Sequence, residues 1–447
     1  MNNPAPSAAP STDYDVLVIG GGPGGSCVAS LLAKRGWRVG LVEKDVHPRF
    51  HIGESLLPMN MPILKKLGVY DAVAAIGIKK NGVDFHTKDA IDAPDLRIHF
   101  KDSLTGDPPA AFQVLRSQFD HILIENSAKL GVDVMQGQQV RDIDFSNLQK
   151  IIVKIQSGQG QDLGSEIEKS ARFIVDASGR DTFLSKKMKL KTRSARHNDA
   201  AIFAHFKDVD RRQDANAGNI GLHWFDHGWI WRIPLANGMT SIGAVSKPEY
   251  LKSCRGDNTA TLLQIIKDCP SLAHKMTRAS LAGKVQGTGN YSYQSSSSHG
   301  ARFIMIGDAF AFVDPVFSSG VYIAMNAAER ALPVIEAHLS GVGDIAQLQK
   351  KFDQQTRLGL SRFTWFIYRY TSPGLMRLFV SGQDLTQIKR AVISVLAGDV
   401  YDNPAVNRPL RFFKLLYLLF SIRTLSATIS HFKGRKRDLS IKIEKQK

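Results

Sequence analysis

Tyr14-Asp-Val-Leu-Val-Ile-Gly20-Gly-Gly22-Pro-Gly-Gly25 runs into the Ala- and Leu-rich segment Ser26 to Arg35 and then into Arg38-Val-Gly-Leu-Val-Glu43. A short β-branched run bounded by glycines, an alanine-rich stretch and a second apolar run read as strand, tight turn, helix, strand. Gly20, Gly22 and Gly25 satisfy G-x-G-x-x-G between a strand and the start of a helix. There the first glycine permits the turn, the second lets backbone approach a pyrophosphate, and the third packs helix on sheet, while helix N–H groups face the phosphates. Glu43 lies near the spacing at which an acid accepts hydrogen bonds from a ribose. The glycines alone would equally make a plain turn; strand, helix and acid in register predict a dinucleotide site.

Similar strands recur far along the chain, at Arg172-Phe-Ile-Val-Asp176 and Arg302-Phe-Ile-Met-Ile-Gly-Asp308. Each ends at or near an aspartate, and both are expected in the same parallel sheet, with ligands bound beyond its carboxyl ends. Period-two alternation at Lys150 to Ile155, Ala200 to Phe206, Trp229 to Leu235 and Thr240 to Val245 predicts antiparallel strands, and helical spacing dominates Val321 to His338 and much of the chain after Ala346. The fold class is therefore α/β: a Rossmann-like three-layer nucleotide domain, an inserted antiparallel β-sheet substrate domain and a helical C-terminal region. The expected boundaries are a disordered leader at 1–12, a discontinuous nucleotide domain at 13–110, 150–190 and 296–345, a sheet domain at 191–295, and a helical region with a basic tail at 346–447.

A chain of 447 residues, 43% hydrophobic and 22% charged, fits two or three globular domains and excludes collagen-like, disordered and integral membrane classes. Cys27, Cys254 and Cys269 form no C-x-x-C pair, which argues against a disulfide framework and a zinc site; no metal is expected. The N-terminal stretch lacks the charged start and apolar core of a secretory signal, and no apolar run is long enough to span a bilayer, so a cytoplasmic protein is expected. The formal charge of +17 is concentrated in part at Lys433-Gly-Arg-Lys-Arg437 and the lysines after it, following the apolar run Phe412 to Ile422. This suits acidic lipid at the inner face of a membrane or an acidic carrier protein, with a merely solvated tail as the bland reading. Nucleic acid is disfavoured, because no aromatic-interleaved basic stripe accompanies the charge.

Val175-Asp176-Ala-Ser-Gly-Arg180 and Ile306-Gly307-Asp308-Ala309 resemble the second and third fingerprints of FAD enzymes of the aromatic hydroxylase group. That resemblance implies FAD, with Asp308 and the neighbouring Gly307 at the ribityl chain and the Asp176 segment flanking the cofactor. Val114-Leu-Arg116 with Phe119-Asp120 resembles the segment that places an arginine, here Arg116, on FAD. In Asp314-Pro315-Val-Phe-Ser318-Ser319-Gly320 a helix begins; directed at the flavin, its dipole would stabilise the reduced ring and its N–H groups at Ser318, Ser319 and Gly320 could bind a halide. An ordinary helix start, capped by Asp314, Ser318 or Ser319, is compatible with that reading.

Gly228-Trp229-Ile-Trp231-Arg-Ile233-Pro234 places two indoles on one strand face, which by itself is equally a packed aromatic wall. Its W-x-W-x-I-P pattern resembles the flavin-dependent halogenases, where it lines the passage beside the flavin. His51-Ile-Gly-Glu-Ser-Leu-Leu-Pro58 resembles that family's G-E-S segment, and Lys79-Lys80-Asn-Gly82 its K-x-G, in which Lys80 would direct hypohalous acid. A neighbouring cation and partial burial are expected to lower the amine's pKa; two solvated loop lysines are the competing reading. The resemblance runs from about Asp13 to Gly320, with a looser match at Ser394 to Asp399. It implies FAD reduced by a separate flavin reductase, oxygen and halide as co-substrates, and a hypohalous species delivered past Trp229 and Trp231. Where tryptophan-specific members carry a glutamate, this chain has Phe317, which points to a phenol or pyrrole, free or tethered to an acidic acyl or peptidyl carrier protein. An aromatic hydroxylase, a prenyl-lipid reductase and a non-catalytic flavin-binding adaptor are the alternatives.

Overall fold

The computed structural model describes residues 12–91, 94–158, 164–193, 199–254, 256–289, 292–312, 315–367, 369, 386–401 and 403–423. The leader up to residue 11, Asp314 and the basic stretch Lys433 to Arg437 lie outside the described residues.

The opening segment folds as strand Tyr14–Ile19, helix Pro23–Ala33 and strand Val39–Glu43. The two strands pair in parallel, and Tyr14–Ile19 pairs on its other side with Glu166–Asp176, which in turn pairs with Phe303–Met305. Asp133–Gln136 closes the far edge beside Val39–Glu43. Five parallel strands thus end side by side at Gly20, Glu43, Gln136, Asp176 and Ile306. The continuous burial of Tyr14–Ile19, Val39–Glu43 and Phe303–Met305 is what a parallel sheet covered on both faces requires. Helices Pro23–Ala33 and Gly320–Ser340 cover one face in mutual contact; a Cβ on Gly24 would stand 3.3 Å from that of Ala324.

Ile151–Ser157, the first of the expected antiparallel strands, pairs with Gln138–Asp144 and with Glu166–Asp176, so it extends this first sheet. The second sheet has the order Ser280–Leu281, Ala200–Lys207, Thr240–Ser246, Gly228–Pro234, Ile220–Phe225, Gly82–His86, Leu96–His99. Its last two strands come from the stretch that sequence spacing placed in the nucleotide domain: Gly82–His86 runs parallel to Ile220–Phe225, a pairing across more than a hundred residues that leaves no local signal. Lys79 and Lys80 also lie in a strand, Ile78–Lys80, antiparallel to Ala111–Gln113.

Alternation gives the second sheet two different faces. Phe203, Leu222, Trp229, Trp231, Ile233 and Val245 join the main core toward the first sheet, whereas Ile202, Ala204, Phe206, Ile230 and Ala244 pack beneath helix Asn258–Lys267 on the reverse face. The C-terminal helices Ile345–Ile367, Thr386–Leu396 and Pro404–Arg423 complete the described chain, and Phe413 and Tyr417 bury their rings against Trp365.

Gly243 is the cross-strand partner of Trp231, and a Cβ there would meet the indole at 2.2 Å and the Phe203 Cβ at 2.6 Å. Gly243→Ala should therefore cost about 1–3 kcal/mol through overpacking, read as a lower urea midpoint together with a shifted tryptophan emission. An unchanged midpoint would mean that the indole wall is loosely packed.

Candidate active site

The carboxyl ends of the parallel strands open onto a cavity of about 400 Å³ whose opposite wall is the Trp229/Trp231 face of the second sheet. Gly20 makes the first turn in the left-handed region, at φ +98°, with a virtual Cβ only 2.5 Å from the Ala177 carbonyl. Gly25, one turn into the helix, faces the Gly20 carbonyl so closely that a Cβ would sit 1.8 Å from it. Gly22 differs: its backbone is extended, and a Cβ would meet nothing within 4 Å because that direction is the cavity. Space kept free over a helix N-terminus is the cradle a pyrophosphate needs. Glu43 reaches the same turn, its carboxylate accepting from the Gly21 N–H at 2.6 Å and the Asp45 N–H at 2.9 Å.

Gly307 and Asp308 lie on the wall further along. Burial pushes the Asp308 carboxyl up to about 6, and among the described residues no hydrogen bond to that carboxylate occurs, so it can accept from the hydroxyls of a bound cofactor. Arg116 is on the wall as well, but its guanidinium is engaged. It donates to both oxygens of buried Asp120 at 2.8 and 2.9 Å and to the Ile52 carbonyl at 2.9 Å, clamping the 51–54 loop. That guanidinium and burial together push His51, also on the wall, down to about 4.

Asp176 is not on the wall. It is fully buried and accepts from the Ser178 and Leu184 N–H groups at 2.9 and 2.7 Å, so it shapes the turn whose residues 177–181 do line the cavity. Pro315 opens a single 3-10 turn, Pro315–Phe317, leading to helix Gly320–Ser340. Ser318, in the left-handed region at φ +58°, and Gly320 face the cavity, while Ser319 is buried behind them. Among the described residues no side chain caps this helix, so neither serine plays the cap role, and Asp314, the third candidate, lies outside them.

Trp229 and Trp231 stand 5.9 Å apart, and Trp231 Nε1 donates to Ser241 Oγ at 3.1 Å, which fixes the ring. The aromatic wall continues through Phe203 to Phe50 and His205. Glu54 lies beside it, with Oε1 2.6 Å from His205 Nε2 and a buried Oε2 that has no partner among the described residues. The sequence flagged Glu54 only as part of a cofactor segment and missed His205. The pair comes from segments 151 residues apart, and no spacing signal could link them.

Lys80 is not on the cavity surface. It is almost wholly buried, at 1% exposure, with Nζ donating to Ser55 Oγ at 2.8 Å and to the Leu56 carbonyl at 3.0 Å, beside the Phe100 ring. Ser55 is the wall residue between this amine and the cavity. Desolvation pulls the amine down to about 7. The expected neighbouring cation plays no part, because Lys79 points outward from the same strand and is exposed. The loop of two solvated lysines is likewise excluded.

The tryptophan halogenase family model matches residues 15–93 and 89–372. This chain is a flavin-dependent halogenase of that family. It is 30% identical over 415 residues to the 1H-pyrrole-2-carbonyl-[peptidyl-carrier protein] chlorinase of Pseudomonas fluorescens, covering 87% of this chain and 90% of that one. Its fold is similar to that of the flavin-dependent brominase Bmp2, with TM-score 0.78 and 26% identity over 90% of this chain and 98% of that one. A flavoprotein/dehydrogenase from Cytophaga hutchinsonii is similar too, with TM-score 0.83 and 32% identity over 92% of this chain and all of that one. The halogenase takes FAD as cofactor and halide and oxygen as co-substrates; the hydroxylase, prenyl-lipid reductase and adaptor readings are not favoured.

Two predictions follow from the wall and the buried amine. Gly22→Val should leave the unfolding midpoint of the FAD-free halogenase unchanged while abolishing the bound-flavin absorbance, since the new side chain occupies only the cavity; retained flavin would move the pyrophosphate elsewhere. Lys80 titrates near 7 in the folded protein and near 10.5 when unfolded, so between those values the unfolded chain holds the extra proton and this group's contribution to stability rises with pH. Lys80→Met should therefore stabilise the protein most at or below about pH 7, the gain shrinking by on the order of 1 kcal/mol per pH unit toward roughly pH 10. Urea unfolding across that range checks it, and a pH-independent difference would contradict it.

Proposed function

We propose that this halogenase acts on an electron-rich aromatic ring, a phenol or pyrrole, presented on an acidic acyl or peptidyl carrier protein, with Lys80 delivering the halogen. The observation that carries this reading is the buried Lys80 amine, hydrogen-bonded to Ser55 one hydroxyl away from the cavity, with its pKa pulled down to about 7 by burial. Bound FAD, once reduced by a separate flavin reductase, supplies the oxygen chemistry that converts halide to a hypohalous species. The rest is done by the chain. Gly20, Gly22, Gly25, Glu43, Arg116, Gly307 and Asp308 hold the cofactor directly or by shaping its turns, and Asp176 and Pro315 do so at one remove. The uncapped N–H groups around Ser318, Ser319 and Gly320 receive the halide. Trp229 and Trp231 keep water out of the passage. Lys80, in its protonated form, passes a proton through Ser55 to the hydroxyl of the hypohalous acid; the oxygen–halogen bond breaks, water leaves, the carbon–halogen bond forms, and the proton released by the ring restores the charge of the amine.

Phe317 supports the substrate class, since a buried phenylalanine there cannot remove a ring proton from an unactivated ring. Glu54 supplies a carboxylate instead, its free oxygen able to accept from a phenol O–H or pyrrole N–H. The carrier-tethered substrate is supported by the carrier-dependent chlorinase relative and by the charge of +17. Peripheral contact of the cytoplasmic enzyme with the inner face of a membrane rests on one feature: Phe412, Leu415, Leu418 and Leu419 are all about half exposed on the last described helix.

With reduced FAD, oxygen and bromide or chloride, a phenol- or pyrrole-loaded carrier should gain halogen. Lys80→Ala should lower that product by about a hundredfold or more while flavin oxidation persists. Retained halogenation would remove Lys80 from the mechanism, and an oxygenated product formed equally without halide would return the enzyme to the hydroxylases.

A further inference from the structure

The reverse face of the Trp strand carries a second cavity, of about 550 Å³, lined by Asp84, His86, Arg212, Asp214, Arg232 and Lys275 among others. Strand alternation puts it there. Trp229 and Trp231 face the flavin cavity, so Arg232 between Trp231 and Ile233 faces the other way, as Ile230 does.

Arg232 is 4% exposed, and its buried Nε has no partner among the described residues. The carboxylate that could neutralise it is engaged: Asp84 accepts from Arg97 at 2.8 and 3.2 Å and from Asn219 at 3.0 Å. Asp214 is held by Arg212, leaving Arg232 and Lys275 in excess over the acids that line the cavity. Asp210 adds only a longer-range field on both. Room for the guanidinium is built into the sheet. Gly221 is its cross-strand partner, and a Cβ there would stand 3.1 Å from Arg232 Nη2 and 3.0 Å from His223 Nε2. His223 and His86 stack at 4.4 Å, each with a buried Nε2 that has no partner among the described residues. Burial lowers the pKa of both imidazoles, so they add polarity without charge.

A buried, desolvated cation without a partner is costly, and proteins resolve that cost with a counter-charge. We propose that this cavity is a binding site for a phosphate group, free or esterified on a small metabolite, with Arg232 at its floor and Arg212 and Lys275 on its walls. A lone halide would leave most of the cavity empty, whereas a guanidinium fork and an ammonium converging from separate segments match the several oxygens of phosphate. The site is separated from the flavin cavity by the sheet itself and is independent of the halogenation mechanism.

Titration calorimetry on the FAD-bound enzyme, with inorganic phosphate and separately glycerol phosphate, tests this, using acetate at matched ionic strength as the control. One-to-one binding of phosphate or its ester is expected, with the tighter of the two identifying free ion or ester as the natural ligand. Lys275→Met and Arg212→Met should each weaken it about tenfold or more, and Arg232→Met should abolish it, all with flavin absorbance retained. Should Arg232→Met fail to fold, the two wall variants carry the test. No binding of either phosphate compound, binding unchanged in the wall variants, or acetate binding as tightly as phosphate would each overturn the proposal.

Discussion

Helix Pro23–Ala33 lies so close to the turn before it that the hydrogen of Gly25 is all that fits against the Gly20 carbonyl. That approach fixes the angle at which the helix leaves the first strand, and the rest of the nucleotide half is arranged around it. The parallel register carries the same level across to Asp176 and Met305, so the turns after those strands open at one height. Gly24 and Gly307 then accept Ala324, which docks helix Gly320–Ser340 against the first helix and brings its uncapped N-terminus to the same cavity. The shape of this cavity follows from close packing of backbone, with the glycines as its condition.

The second sheet contributes through the two-residue period of its strands. A single strand, Gly228–Pro234, sends indoles into the flavin cavity and a guanidinium into the opposite one. Both cavities therefore share a wall one strand thick. Bulk on the indole side is balanced by glycine across the ladder at Gly243, and bulk on the guanidinium side by Gly221. The same strand that defines the halogenase pattern also carries the buried charge that the pattern does not explain.

Burial is what separates the Lys80 amine from an ordinary surface lysine, pulling its pKa down. Among the described residues no acid approaches it closely enough to hold it charged, and its two hydrogen bonds go to a hydroxyl and a carbonyl, both neutral acceptors. An ion pair would have raised its pKa; solvent exclusion without an ion pair lowers it. The nearby Glu54 is partnered by His205 and Lys80 by Ser55, so the two groups have separate partners.

Much of this was already fixed in the chain. Local patterns, from the glycine turn through the later aspartate strands to the Trp pair, determined the α/β class, FAD and the halogenase resemblance, because each of those features is set by neighbours within a few residues. Tertiary structure decided the rest. Strands Gly82–His86 and Leu96–His99 crossed into the second sheet, Arg116 clamped the 51–54 loop and Asp176 the turn after its own strand, and Lys80 moved inside, its pKa lowered by burial rather than by Lys79. The Glu54–His205 pair and the unpartnered Arg232 likewise depend on segments distant in sequence. Burial and long-range pairing set the charge state and direction of a side chain, and neither is encoded within the few residues that a motif spans.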